Sequence, residues 1–171
     1  DRLYLQLDYP EADKNELNEI SFHIAGVLLL DPSPLAFCTF NASCIQDGSC
    51  YTSANWPGIE EARKGVANIL YIKNGAGYIC TGGLVTDTDL DSFIPYFITA
   101  NHCISTDAVA NTVEARFNFR TNTCGGACYW PNSPSTIGSS LLHTASEDDH
   151  TLLRLSQSPP NGAVFLGWTD E

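Results

Sequence analysis

Basic residues are scarce in this sequence of 171 residues, and their scarcity limits the partners that the chain can bind. Lys and Arg together number 8, against 20 Asp and Glu, which gives a formal net charge of −12 at pH 7. Nucleic-acid backbones are held by clustered Lys and Arg, so we expect no nucleic-acid partner. Anionic membrane surfaces attract the same basic side chains, so we expect no membrane partner either.

The sequence also lacks a hydrophobic stretch that could cross a bilayer, because its longest apolar run, residues 24–30, is far shorter than the required length of about 20 residues. Methionine is absent, so we expect that an initiating segment, with any signal peptide, has been removed or lies outside this sequence. Charged residues make up only 16% of the chain and hydrophobic residues 43%, whereas disordered chains are rich in charge and poor in apolar residues. The composition therefore predicts a folded domain.

Cysteine, in contrast, is abundant, and its number is odd. Seven cysteines in 171 residues indicate an oxidising compartment and disulfide bonds. We therefore expect a secreted protein, extracellular or periplasmic. An odd number leaves at least one cysteine free or bonded to something outside the chain.

Short runs of strand-forming residues follow one another along the chain and predict an all-β fold. These runs cover residues 66–72, 78–85, 93–99, 113–119, 139–144, 151–155 and 163–168. Asn74-Gly75 between the first two runs predicts a hairpin turn, and residues 59–65 are predicted to form one helical turn. Strands at this spacing, without a long helix, are typical of an antiparallel barrel or sandwich.

Residues 1–37 differ in pattern from the rest of the chain. They end near a breaker, Asp31-Pro32-Ser33-Pro34, which interrupts both helices and strands. We predict that residues 1–37 form an N-terminal extension or the remnant of a pro-segment, and that residues 38–171 form the β domain.

A histidine follows one predicted strand directly beside a cysteine, in the segment Thr99-Ala100-Asn101-His102-Cys103. Cys103 could anchor the backbone through a disulfide so that His102 acts as a rigidly held general base. Alternatively, His102 and Cys103 could be metal ligands, with the C-x₃-C pair of Cys124 and Cys128 as a weak second signal. Disulfides are favoured over zinc in a secreted chain rich in cysteine, so we expect no metal and no other cofactor.

Three motifs, in the same order, resemble those of trypsin-like serine proteases. Residues 99–103 resemble the T-A-x-H-C motif around that family's catalytic histidine, and residues 80–85, C-T-G-G-L-V, resemble its upstream C-x-G-x-L-[IV] strand. Residues 148–155, D-D-H-T-L-L-R-L, resemble the D-x-x-L-L-x-L segment that bears the catalytic aspartate. The bacterial secreted branch typified by lysyl endopeptidase is the most similar, through further matches at residues 44–50, 96–103, 117–124 and 162–168.

The resemblance covers about residues 38–171 and implies the first of two antiparallel β-barrels, together with a Ser-His-Asp mechanism of peptide hydrolysis. It implies that His102 is the general base and that an aspartate orients it. Asp149 is chosen over Asp148 because its spacing to Leu152 matches the motif.

The nucleophile motif of the family, G-D-S-G, is absent, and so is any G-x-S-x-G. Ser139 and Ser140 lie in a predicted strand and are not expected to be nucleophiles. The family carries its serine in the second barrel, so we expect that this chain alone is inactive. Its expected partners are the C-terminal half of the protease, which carries G-D-S-G, and a protein or peptide substrate. A secreted module that binds or regulates without catalysis is the alternative.

The resemblance also implies how the cysteines pair. Two disulfide bonds within the chain are implied, Cys80–Cys103 and Cys50–Cys124. The equivalent of Cys44 pairs with a cysteine of the second barrel in the lysyl endopeptidase branch, so Cys44 is expected to be unpaired here or bridged to the missing half. Cys38 and Cys128 remain by elimination and are predicted to pair with each other.

Overall fold

The computed structural model describes residues 46–89, 91–126 and 133–169. The predicted N-terminal extension, Cys38, Cys44 and Cys128 lie outside these residues. The boundary between residues 37 and 38 and the Cys38–Cys128 pair therefore stay predictions. Within the described residues, no helix has both the length and the apolar character that crossing a membrane requires.

Seven antiparallel strands form the sheet of the described residues, in the order β5-β4-β1-β2-β3-β7-β6. The strands are β1 (Val66–Lys73), β2 (Ala76–Val85), β3 (Tyr96–Thr99), β4 (Glu114–Phe117), β5 (Ser135–Ile137), β6 (Ser139–Ala145) and β7 (His150–Leu155). In the described ranges, the helices are α1 (Ile59–Ala62) and α2 (Asp107–Ala110), and two 3₁₀ turns cover Gly48–Cys50 and Arg63–Gly65.

The two edge strands of this sheet, β5 and β6, are separated in sequence by Gly138 alone. Gly138 donates its N–H to Val113 O at 2.7 Å and accepts at its carbonyl from Ser156 N at 3.0 Å. One residue can join the two edges only if the sheet curls until they meet, which is how a barrel loses its exposed edges. The predicted all-β, barrel-like fold is confirmed.

Local sequence explains where the strands begin and end. Asn74 and Gly75 have φ values of 53° and 76°, so they form the predicted tight turn between β1 and β2. The predicted strand over 113–119 stops at Phe117, because Asn118 has a left-handed φ of 55°. The predicted strand over 93–99 starts only at Tyr96, directly after Pro95.

Two elements differ from the sequence prediction. The predicted strand over residues 163–168 is wrong, because only Leu166 bridges to the sheet, at Val85. Strand β5 was not predicted, since its three residues are too short to show an alternating pattern. Residues 59–65 form the predicted helical turn, as α1 followed by a 3₁₀ turn.

The core lies inside the curled sheet, and its centre is where β2, β3 and β7 meet. Leu84, Phe97 and Leu153 are direct neighbours across these strands, and each is 0% exposed. The Phe97 ring also packs edge-on against Phe117, with ring centroids 6.4 Å apart. Buried side chains of this size each contribute about 1.5–3 kcal/mol through burial, so β3 is held firmly at its centre.

The segment before α1 is fixed to the barrel by the Cys50–Cys124 disulfide, which is one of the two bridges that the resemblance implies. Asp47 reinforces this junction, because its carboxylate accepts hydrogen bonds from Ser49 N at 2.9 Å, Thr121 Oγ1 at 2.7 Å and Gly125 N at 2.9 Å. These bonds, led by the one from Thr121, lower the pKa of Asp47 from its usual value. No sequence motif indicated this role.

Strand pairing also determines which loops meet. Strands β3 and β7 are antiparallel, and Thr99 at the end of β3 pairs with Thr151 near the start of β7. The residues that follow β3 and those that precede β7 therefore emerge at the same end of the sheet.

The packing of Phe97 gives a test of the fold. A Cβ added at Gly82 would overlap the Phe97 ring and lie 2.6 Å from Ile98 O. We expect Gly82→Ala to lower the free energy of unfolding by about 1–3 kcal/mol, because neither the buried ring nor the backbone can move away. At Gly167 an added Cβ meets nothing within 4 Å, so Gly167→Ala is the control and should stay within about 0.5 kcal/mol. Urea unfolding followed by fluorescence measures both, and equal midpoints for the two variants would contradict the packing.

Candidate active site

His102 and Asp149 meet at the end of the sheet where β3 finishes and β7 begins. The carboxylate of Asp149 accepts two hydrogen bonds from the same residue. His102 N donates to Oδ1 at 2.8 Å, and His102 Nδ1 lies 2.7 Å from Oδ2. The contact joins residues 47 positions apart in the sequence. Both the backbone and the ring of His102 are therefore oriented by one side chain.

The loop between β6 and β7 brings Asp149 to this position. Asp149 has a φ of 48°, a left-handed conformation that Asp and Asn adopt more readily than most residues. Its carbonyl accepts from Asn101 N at 3.2 Å. Asp149 is thus bound to the 101–102 segment through its main chain as well as through its side chain.

A chain of polar side chains supports the segment that carries His102. Asn101 Nδ2 donates to Thr144 Oγ1 at 2.7 Å, Thr144 Oγ1 lies 2.6 Å from Thr151 Oγ1, and Thr151 Oγ1 donates to Ile104 O at 2.7 Å. Thr151 is 0% exposed, so its bonds satisfy a hydroxyl that cannot reach water. None of these residues was predicted. The only signal was that Asn101 and Thr151 lie at variable positions within the two motifs.

The charge of Asp149 determines which nitrogen of the His102 ring carries the hydrogen. The pKa of Asp149 is lowered from its usual value, above all by the hydrogen bond from the His102 backbone N–H and then by the bond from the ring. Asp149 is therefore a carboxylate at neutral pH and can only accept, so Nδ1 carries the hydrogen in a neutral ring. Nε2 then has a free lone pair. It has no partner among the described residues and can take up a proton.

A disulfide also fixes the backbone directly after His102. Cys103, directly after His102, is bonded to Cys80 of β2, with 6.4 Å between the Cα atoms. This bridge is the second that the resemblance implies. Cys80, His102 and Cys103 place potential metal-ligand atoms within 4.8 Å of one another. Both sulfur atoms are in the disulfide, however, and Cys124 is bonded to Cys50. Metal binding by cysteine needs a thiolate, so these cysteines do not fit a zinc site.

The paired serines lie away from this site. Ser139 and Ser140 pair with Leu155 and Arg154, at the end of β7 remote from Asp149. Ser139 is buried, and its hydroxyl donates to Ala110 O at 2.7 Å. A distance of five strand residues corresponds to about 17 Å, so neither serine is placed to exchange a proton with His102.

The lowered pKa of Asp149 predicts a pH-dependent contribution to stability. Asp in an unfolded chain titrates near 3.9, and a lower folded-state pKa means that the carboxylate stabilises the fold above that pH. This contribution is lost as the pH falls through the folded-state pKa. Between about pH 5 and pH 2, the urea midpoint should therefore fall more steeply for the unaltered chain than for Asp149→Asn, which tolerates the left-handed φ.

Asp148→Asn removes the same charge one residue away and should leave the steep fall in place. Parallel curves for the unaltered chain and Asp149→Asn would show that the carboxylate is not held by His102 in solution.

Comparison with known proteins identifies relatives of this chain. The sequence profile of the family described as lysyl endopeptidase, C-terminal domain, matches residues 40–171. A lysyl endopeptidase of Pseudomonas aeruginosa is 30% identical over 134 residues, which cover 75% of this chain and 29% of that protein. A solved structure of an HtrA-type protease with a tripeptide is 18% identical, with a TM-score of 0.41, and the match covers 64% of this chain and 28% of that chain.

The family profile takes in all three motifs and both members of the His102–Asp149 pair. The chain spans less than a third of the length of the curated relative, at 29%. The chain therefore belongs to the lysyl endopeptidase branch of the trypsin-like serine proteases.

Proposed function

We propose that this chain is part of a secreted serine endopeptidase, that it supplies the histidine and aspartate of the triad, and that a segment outside these 171 residues supplies the serine. The observation that carries the proposal is the double hydrogen bond from His102 to Asp149. It fixes the tautomer that a general base needs, with the lone pair on Nε2.

In the proposed reaction, His102 Nε2 removes the proton from the serine hydroxyl as the serine oxygen attacks the carbonyl carbon of the peptide. The resulting imidazolium then protonates the leaving amine nitrogen, the C–N bond breaks, and an acyl-serine remains. Water attacks the acyl-serine with the same proton movements and releases the acid. Asp149 stays ionised throughout and stabilises the imidazolium.

Two features support a nucleophile outside the chain. The sequence contains no G-x-S-x-G, and Ser139 and Ser140 pair with the far end of β7. The side chains of His102 and Asp149 are 70% and 51% exposed, so both remain open to a segment that would dock over them. Ile98, on the strand that leads to His102, also exposes an apolar side chain.

The proposed location outside the cytoplasm rests on the cysteines. The described residues contain two disulfides, Cys50–Cys124 and Cys80–Cys103. Disulfides persist in oxidising compartments, and the second of them anchors the residue after His102. We therefore infer that the protein works after export.

Labelling with a fluorophosphonate, which reacts with an activated serine, tests the proposed function. The full-length protein should be labelled and should cleave casein, whereas residues 1–171 alone should do neither. Asp149→Asn in the full-length protein should lower kcat by about 10⁴-fold, because the wrong imidazole tautomer is then favoured. Asp148→Asn is the matched control and should keep full activity.

A full-length protein that is folded but neither labelled nor active would contradict the proposal. That result would favour the alternative, a secreted module that binds or regulates without catalysis.

The cysteine count gives a second test of the missing segment. Four of the seven cysteines are in the two described bridges, which leaves Cys38, Cys44 and Cys128. We expect Cys44 to be bonded to a cysteine outside residues 1–171 and the other two to be bonded to each other. A peptide map of the full-length protein under non-reducing conditions should show both linkages. A Cys38–Cys44 or Cys44–Cys128 peptide would contradict this pairing.

A further inference from the structure

Lys73, the last residue of β1, lies directly beside the proposed catalytic histidine. Its Nζ donates a hydrogen bond to the backbone carbonyl of His102 at 3.1 Å. The two residues are 29 positions apart in the sequence, and Lys73 is half-buried. No motif in the sequence indicated that this lysine belongs to the site.

The pleat of the β1–β2 hairpin explains how Lys73 reaches His102. Side chains two residues apart share one face of a strand, so Lys73 lies on the same face as Tyr71. Across the hairpin, Tyr71 pairs with Tyr78, and the two rings stack with their centroids 5.9 Å apart. Tyr71 Oη lies 3.5 Å from Cys80 Sγ. Cys80 is bonded to Cys103. Lys73 therefore lies on the same face of the hairpin as the residues that connect to Cys103, directly after His102.

The charge of Lys73 is not balanced within the described part of the chain. Arg63, Lys64 and Arg116 each have a carboxylate partner within 4 Å. Lys73, like Arg120 and Arg154, has no carboxylate partner among the described residues, although the chain as a whole carries a net charge of −12. An ammonium group has three N–H donors, and the His102 carbonyl occupies one of them. The other two, together with the full charge, can bind an anionic group of a substrate.

We propose that Lys73 is a specificity-determining residue, which favours substrates with an acidic side chain on the leaving-group side of the cleaved bond. The proposal rests on the proposed protease function. His102 protonates the leaving amine, so the substrate residue that carries this amine lies closest to His102. Lys73 is tied to the main chain of His102 itself, and the carboxylate of Asp or Glu on this side of the bond is the group that the free donors can reach.

A substrate series with the full-length protein tests this inference. Cleavage sites in denatured casein, mapped by mass spectrometry, define a peptide that the enzyme cuts. Versions of this peptide with Glu, Gln or Lys directly after the cut are then compared by kcat/KM. The unaltered enzyme should prefer Glu over Gln by about two- to fivefold, the range that corresponds to a partly exposed ion pair. Higher salt should reduce this preference.

Lys73→Gln keeps a donor for the His102 carbonyl but removes the charge, so the ratio of kcat/KM between the Glu and Gln peptides should fall to about one. Lys73→Arg should keep the preference. Lys64→Gln is the matched control, because it removes one positive charge at the other end of β1, away from His102. Lys64 lies just before β1 and pairs with Glu61.

Each outcome separates the two proposals. A preference for Glu that survives in Lys73→Gln would overturn the specificity role, and the protease function would stand. An equal loss of rate on all three peptides would also overturn it, because Lys73 would then only position His102. No cleavage by the unaltered full-length protein would overturn the proposed function and this inference with it.

Discussion

The arrangement of the candidate site depends on one carboxylate that holds a histidine at two points. A bond from Asp149 to the ring alone would leave the backbone of His102 free to turn, and a bond to the backbone alone would leave the ring free. Because both are made, at 2.8 Å and 2.7 Å, the position of the imidazole follows from the position of residues 101–102. Those residues are in turn fixed by the pairing of Thr99 with Thr151 and by the disulfide at Cys103.

The same contact would be weak without the structure around it. A hydrogen bond between side chains that are 70% and 51% exposed contributes only modestly to stability, because water competes for both groups and the side chains lose entropy. The relative position of His102 and Asp149 is therefore set by the buried bonds around Thr151 and by the core around Phe97. A docked segment that excluded water would strengthen the attraction between the same two groups, since the local dielectric constant would fall. The proposed serine-bearing segment would thus complete the site electrostatically as well as chemically.

The sequence could predict those features that are encoded within a few neighbouring residues. The all-β class, the Asn74-Gly75 turn and the segments that contain His102 and Asp149 are of this kind. What could not be predicted depends on register between distant strands. Whether Thr144 reaches Asn101, or Lys73 reaches His102, depends on which residue of one strand faces which residue of another, and a shift of one position would turn each side chain to the other face. Strand β5 was missed for a related reason, because Ser135–Ile137 joins the sheet through its neighbours and not through its own pattern.

The position of Lys73 also bears on how a chain with a net charge of −12 could accept an acidic substrate. Carboxylates that lie further from the site than the screening length, about 8 Å at physiological salt, exert little repulsion there. Asp149 lies closer, but its charge is engaged by two hydrogen bonds from His102. Lys73 would act at contact distance, where screening is weakest. The local field beside His102 can therefore be positive even though the chain as a whole is strongly acidic, and local charge rather than net charge would decide which peptide is favoured there.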